Sequence, residues 1–282
     1  MALTVNTNTT SLNVQKNLNR ASDALSTSMS RLSSGLKINS AKDDAAGLQI
    51  SNRMSSQIRG QNVAVKNAND GISMAQTAEG ALQETTNILQ RMRELAVQAR
   101  NGTNGTADRT ATNSEFTQMS DELTRIASST NLNGKYLLDG TAGAMTIQVG
   151  ANTGTSNQIT LTLSSKFDAA SLSVGTGVVL TGATSAAAGS AIDGAITAID
   201  AAIAIVTANR ANLGASQNRL TSTIANLQNV NENATAAMGR VQDTDFAAET
   251  SELTKQQTLQ QASTAVLAQA NQLPSAVLKL LQ

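Results

Sequence analysis

Asp43 and Asp44 are the nearest thing in this chain to a chemical pair, two adjacent carboxylates of the kind that perform general acid–base work. Their surroundings argue for a different task. Asp43 follows Ser40 by three residues at a point where an amphipathic stretch restarts. That spacing resembles a capping box at a helix N-terminus, where anions satisfy free N–H groups and oppose the macrodipole. The next charged cluster, Arg91, Arg93 and Glu94, has the i,i+3 spacing of a solvated helix face, each pair worth about a few tenths of a kcal/mol. Among 282 residues there is neither Cys nor His. This removes the commonest general base, the thiol nucleophile and the usual transition-metal ligands together. No Ser/Lys or carboxylate set has the spacing of a catalytic motif. The sequence therefore offers no catalytic, cofactor-binding or metal-binding residue, and an enzyme is not expected.

Charge and hydropathy narrow the partners further. Twenty basic residues balance twenty acidic ones, and the basic residues are scattered, whereas a nucleic-acid binder gathers Lys and Arg on one face. Nucleic acid is not an expected partner. The most Ala- and Ile-rich stretch, Ala186 to Ala208, is interrupted by Asp193, Asp200 and two glycines, which reads as a helix face and not a membrane span. No membrane partner is expected. Three Phe, one Tyr and no Trp leave the 40% hydrophobic content to aliphatic side chains and Ala, so a core built around large rings is excluded. The opening residues MALTVNTNTTSLNVQ lack the basic and apolar regions of a cleaved signal peptide.

These residues must be carried by long helices. From Ile192, positions 192, 196, 199, 203, 206, 210, 213, 217, 220, 224, 227, 231, 234, 238 and 241 alternate steps of four and three. All are apolar except Arg210, Gln217 and Asn231. A 3.5-residue period held this long keeps one seam against a partner helix; Gln217 and Asn231 on it read as register-setting, and Arg210 either does the same or reaches out past the seam. Ile50, Met54, Ile58, Val65, Ala68, Ile72, Ala75, Leu82, Leu89, Met92, Ala96 and Ala99 form a similar stripe that stops at Asn101-Gly102 and Asn104-Gly105. A shorter stripe, Phe116, Met119, Leu123 and Ile126, supplies a third helix. The expected fold is mainly α: long antiparallel helices in a coiled-coil bundle with a small β-hairpin region.

Asn133-Gly134 and Asp139-Gly140 mark a change of period from 3.6 to 2. Met145, Ile147 and Val149, then Ile159, Leu161 and Leu163, alternate with polar residues and predict the hairpin. Residues 164–190, rich in Ser, Thr, Ala and Gly, read as the most loop-like part. At the N-terminal end Val14, Leu18, Ala21, Leu25, Met29, Leu32 and Leu36 form a stripe closed by Gly35, a helix C-cap candidate. At the C-terminal end Leu253, Leu267, Val277 and Leu281 form a weaker one from Phe246 onward. Isolated helices of this kind are marginal in water, so both ends are expected to be largely disordered in a monomer and to fold on association.

The quoted segments resemble bacterial flagellin. SRLSSGLKINSAKDDAAGLQIS (Ser30 to Ser51), NANDGIS (Asn67 to Ser73), QTAEGAL (Gln76 to Leu82) and LQRMRELAVQA (Leu89 to Ala99) carry it in the N-terminal half. LGASQNRL (Leu213 to Leu220), DTDFAAETSELTKQQ (Asp243 to Gln257) and LAQANQLPSAVLKLL (Leu267 to Leu281) carry it in the C-terminal half. The resemblance implies a subunit that is exported and polymerises into the flagellar filament used for motility, outside the cell. The organisation it implies is 1–40 and 243–282 as the two parts of a filament-core coiled coil, 41–138 and 191–242 as rod helices, and 139–190 as hairpin plus a short variable segment. An outer domain is then essentially missing.

The resemblance also implies partners. They are further copies of the chain, an export chaperone grasping the C-terminal segment from about Phe246, filament-cap and hook-junction proteins, and a host innate immune receptor. Assembly is assigned to Leu18, Leu25, Met29, Leu32, Phe246, Leu253, Leu267 and Leu281. Receptor recognition is assigned to Arg91, Leu95 and Glu115. No cofactor is implied. A hook–filament junction protein and a secreted receptor-binding coiled-coil effector are the alternatives.

Overall fold

The computed structural model describes the backbone of residues 7–182 and 184–279, with side chains up to residue 272 apart from Ser185. Five helices are present among the described residues: α1 (Thr9–Ser34), α2 (Ala45–Arg100), α3 (Thr106–Ser129), α4 (Ser185–Gln242) and α5 (Phe246–Lys279). Two antiparallel strand pairs join them, β1 (Asn131–Leu132) with β2 (Lys135–Tyr136), and β3 (Gly143–Gln148) with β4 (Gln158–Leu163). The chain divides into two compact units, Met1–Gln57 with Glu232–Gln282, and Ile58–Asn231.

The continuous unit holds the large core. On α2 a buried seam runs through Gln61, Ala64, Ala68, Gly71, Ala75, Ala78, Leu82, Thr85, Leu89, Met92, Ala96 and Ala99, in unbroken steps of three and four, with Thr86 and Leu95 buried beside it. This seam differs from the sequence stripe at its N-terminal end, where Ile58 and Val65 sit on the flank while Gln61 and Ala64 are buried. Small side chains occupy the seam there because β3 lies close. A Cβ on Gly71 would clash with Ile147 Cδ1. Buried Thr85 and Thr86 return their hydroxyls to the carbonyls of Ala81 and Leu82, at 3.0 and 2.8 Å, so they enter the core without an unsatisfied donor.

On α4 the seam positions Ile192, Ile199, Val206, Leu213, Leu220 and Leu227 are buried as the heptads predict. Between the first of them, Ala195 and Ala202 are buried and Ile196 and Ile203 partly so. Two of the polar seam residues find cross-helix partners: Gln217 Nε2 donates to Glu79 Oε2 at 2.8 Å, and Asn231 Nδ2 to Asn62 Oδ1 at 2.6 Å. One window of α4 is long and apolar enough to cross a membrane. On the same helix Ile192, Ala195, Ile199 and Ala202 lie in the core, and the carboxylates Asp193 and Asp200 pair with Arg100 and Arg93, both at 2.7 Å.

Residues 164–182 form no helix and no strand beyond an isolated bridge at Lys166, as their composition suggests, but they are not a solvated loop. Phe167, Ala169, Leu172, Val174 and Leu180 are all buried in the same core. Backbone bonds pin the segment, Phe167 N–H to Leu138 O at 3.0 Å and Leu180 N–H to Asn113 Oδ1 at 2.7 Å. Its apolar residues are spaced for turns and show neither helical nor strand period, which is why sequence pattern passes over them. Ser185 opens α4 six residues before the expected boundary at 191.

Candidate assembly interface

The second unit is built from the two ends of the chain. Asn8 caps α1 by accepting the Ser11 N–H at 3.0 Å, which satisfies one of the free donors of the first turn. The same side chain donates through Nδ2 to Ala270 O at 2.8 Å, and Ser11 Oγ to Asn271 Oδ1 at 2.8 Å, tying the start of α1 to α5. Gly35 ends α1 at φ 72°, left-handed backbone that only Gly adopts cheaply, and its N–H returns to Arg31 O at 2.8 Å. Just beyond, Lys37 N–H donates to Gln242 O at 2.7 Å and Thr244 N–H to Gly35 O at 3.0 Å, in an isolated antiparallel bridge Leu36↔Asp243.

The corner into α2 uses both carboxylates and corrects the capping box. Asp43 Oδ2 accepts the N–H groups of Asn39 at 3.1 Å and Ser40 at 2.8 Å, with the Ser40 hydroxyl at 3.0 Å. The Ser40 N–H is the main reason the Asp43 carboxyl lies below its ordinary range, followed by the Ser40 hydroxyl and the Asn39 N–H. Asp44 Oδ1 accepts the Gly47 N–H at 2.9 Å and is the residue at the head of α2, which begins at Ala45. The helix therefore starts one turn later than Ser40 would have set it, and the pair is structural.

Along α1 a seam of buried or half-buried positions runs through Val14, Leu18, Ala21, Leu25, Ser28 and Leu32, in steps of four and three, with Ser11, Ala24 and Arg31 half-buried beside it. Along α5 the seam runs through Glu249, Leu253, Gln256, Gln260, Ser263, Leu267 and Ala270, in the same steps, with Glu252 half-buried beside it. Two heptad faces in antiparallel helices form one seam, apolar on α1 and polar through the middle of α5. At one end Arg31 and Glu249 approach to 3.7 Å. Leu18, Leu25, Leu32, Leu253 and Leu267 thus lie on a seam within one chain. Met29, 58% exposed, and Phe246, 56% exposed, face outward; Leu281 lies outside the described residues. Sequence reasoning missed three further outward residues, Leu12 at 59%, Leu259 at 45% and Val266 at 48%. A seven-residue spacing puts Leu259 and Val266 on one stripe, a signal that was present in the sequence.

The second set of assigned residues lies in the continuous unit. Arg91 on α2 donates to Glu115 Oε1 on α3 through Nε at 3.1 Å and Nη2 at 2.9 Å, and to Glu94 Oε2 through Nη1 at 3.1 Å. These hydrogen bonds, those to Glu115 first, raise the Arg91 pKa above its ordinary value. Leu95 is 2% exposed and belongs to the core, so it presents no surface for direct contact. It occupies a seam-side position that sequence spacing alone did not separate from its exposed neighbour Val97.

Known proteins place this arrangement. The bacterial flagellin N-terminal helical region matches residues 5–143, and the bacterial flagellin C-terminal helical region matches residues 196–281. The chain belongs to the bacterial flagellin family. Flagellin B of Vibrio cholerae serotype O1 is 40% identical over 382 aligned positions, covering all of both chains. Flagellin D of Vibrio anguillarum is 41% identical over 376, again covering both completely. Both alignments are longer than this 282-residue chain, so these flagellins carry residues with no counterpart here, as expected of a short form. The crystal structure of Bacillus cereus flagellin matches at 35% identity over 57% of this chain and 88% of that one, with a TM-score of 0.47. As a flagellin, the protein is a structural subunit that self-polymerises into the filament of the bacterial flagellum, and it is not an enzyme.

Proposed function

We propose that copies of this flagellin join through the outward faces of α1 and α5, once the two helices of each chain have paired along their own seam. The observation that carries this reading is the set of large apolar side chains, Leu12, Met29, Phe246, Leu259 and Val266, left exposed on helices whose inward face is already occupied. Leu259 and Val266, seven residues apart, share one outward stripe of α5 that a further copy of the chain would cover. Each such side chain, when fully covered by a neighbour, contributes about 1.5–3 kcal/mol. A head-to-tail contact that does not close propagates as a helical fibre. The test is the double variant Leu259→Glu/Val266→Glu. It should keep its helical circular dichroism and fail to elongate filament seeds; seeded growth at the normal rate would overturn the assignment.

The other partners rest on the resemblance. Export to the cell exterior precedes assembly, and a chaperone holds the segment from about Phe246 until then. Cap and hook-junction proteins meet the filament at its two ends. A host innate immune receptor reads the α2–α3 face through Arg91 and Glu115, which are exposed and held in register by their mutual ion pair. Leu95 takes part by anchoring that face to the core. Full-length likeness to filament flagellins disfavours the junction protein and the secreted effector.

A further inference from the structure

Three Asn-Gly pairs punctuate the chain, Asn101-Gly102, Asn104-Gly105 and Asn133-Gly134. An Asn amide followed by Gly is an electrophile next to an unhindered backbone nitrogen, and the three pairs differ sharply in how that chemistry is restrained. We infer that Asn101 is a modification site, the position where this chain deamidates spontaneously through its own backbone.

The reaction needs only solvent. The Gly102 amide nitrogen gives its proton to solvent base and attacks Asn101 Cγ. A C–N bond closes a succinimide ring, and the side-chain nitrogen takes up a proton and leaves as ammonia. Water then opens one of the two ring carbonyls, leaving Asp or isoaspartate with a new carboxylate. Nothing is oxidised or reduced.

The geometry around Asn101 favours each part of this. Residues 101–103 are exposed as the chain leaves α2. Thr103 N–H donates to Asn101 Oδ1 at 3.3 Å, which puts a donor on the oxygen that becomes negative when Cγ is attacked. Among the described residues neither the Asn101 side-chain nitrogen nor the Gly102 N–H has a hydrogen-bond partner, so leaving group and nucleophile are both unrestrained. At Asn104 the side-chain nitrogen is held by Gln98 O at 2.7 Å, and the Gly105 N–H by Asp108 Oδ2 at 3.0 Å. Deprotonating Gly105 would set two anions face to face. At Asn133 the φ values of 52° and, for Gly134, 76° belong to the tight turn between β1 and β2. Ring closure there must rotate Asn133 out of the turn and break the Leu132↔Lys135 pairing. At Asn101 the product carboxylate lies at the negative end of the α2 dipole, which weakens the α2–α3 corner.

The experiment incubates the purified full chain at mildly alkaline pH. Conversion is followed by fragment-ion sequencing of its peptides and by enzymatic methyl labelling of isoaspartate. Conversion should appear at Asn101 ahead of Asn104 and Asn133. A Cβ on Gly102 meets no atom within 4 Å and its φ is not left-handed, so Gly102→Ala should fold normally and lose the Asn101 signal while the other two sites are unchanged. Conversion led by Asn104 or Asn133, equal at all three, absent altogether, or undiminished in Gly102→Ala would each overturn the inference.

Discussion

At the residue scale, polar groups in this flagellin serve geometry. Asp43 gathers three donors at the corner before α2, and its folded pKa is depressed in consequence. A depressed carboxylate contributes stability that is complete above its unfolded pKa and is lost as the pH falls through the folded value. Acidification should therefore loosen the 39–43 corner only below the ordinary carboxylate range. A carbon NMR titration of the Asp43 carboxyl should show a midpoint under that range; a midpoint at or above it would remove Asp43 as the corner's tie. Buried Arg109 is a second such residue. Its Nε donates to Ala99 O at 3.1 Å, placing a cation on a carbonyl in the last turn of α2. Nothing in the local sequence marked it, because its partner belongs to the preceding helix.

At the element scale, the two heptad systems differ in what fills them. The α2–α4 seam buries Leu82, Leu89, Met92, Ile192, Ile199 and Leu220 almost completely. The α1–α5 seam buries Ala21, Ser28 and Ala270, and its leucines only in part. Leu25→Asp places an unpaired charge on that thin seam, which costs about 1–3 kcal/mol when the group is buried and finds no partner. The expected outcome is an intact middle unit, reduced helicity at the ends and no polymerisation. Circular dichroism and electron microscopy of seeded reactions test it, and ordinary filaments from this variant would refute the seam. Gly71 shows the opposite design, a position kept bare so that Ile147 of β3 reaches the helix.

At the scale of the molecule, the chain folds into a unit with an extensive core and a second unit, built from both ends, with a sparse one. Regions with few buried apolar contacts open most readily. In the monomer, amides of 9–34 and 246–272 should exchange fast, and those of 64–99 and 192–220 slowly. Polymerisation should slow the first group selectively. Hydrogen exchange read by mass spectrometry before and after assembly measures both, and equal protection in the monomer would contradict folding on association. In the single chain α1 and α5 are already paired helices, where sequence alone suggested disorder, so association selects and stabilises a geometry that exists before it.

Much of this was legible in one dimension. Helical period, the switch to period 2 at the hairpin, the Gly35 cap and the lack of Cys and His are local properties of residue type and spacing, and they pointed to a structural protein before any packing was known. Burial was not local. Whether Ala64 or Val65 faces the core depends on how closely β3 approaches α2. Whether residues 167–180 are loop or core depends on the surface that 113–138 offers them, and whether Leu25 or Met29 meets solvent depends on where α5 lies. Each is a relation between elements distant in sequence, set by steric fit and by which faces remain uncovered, and so it was decided only when the helices packed.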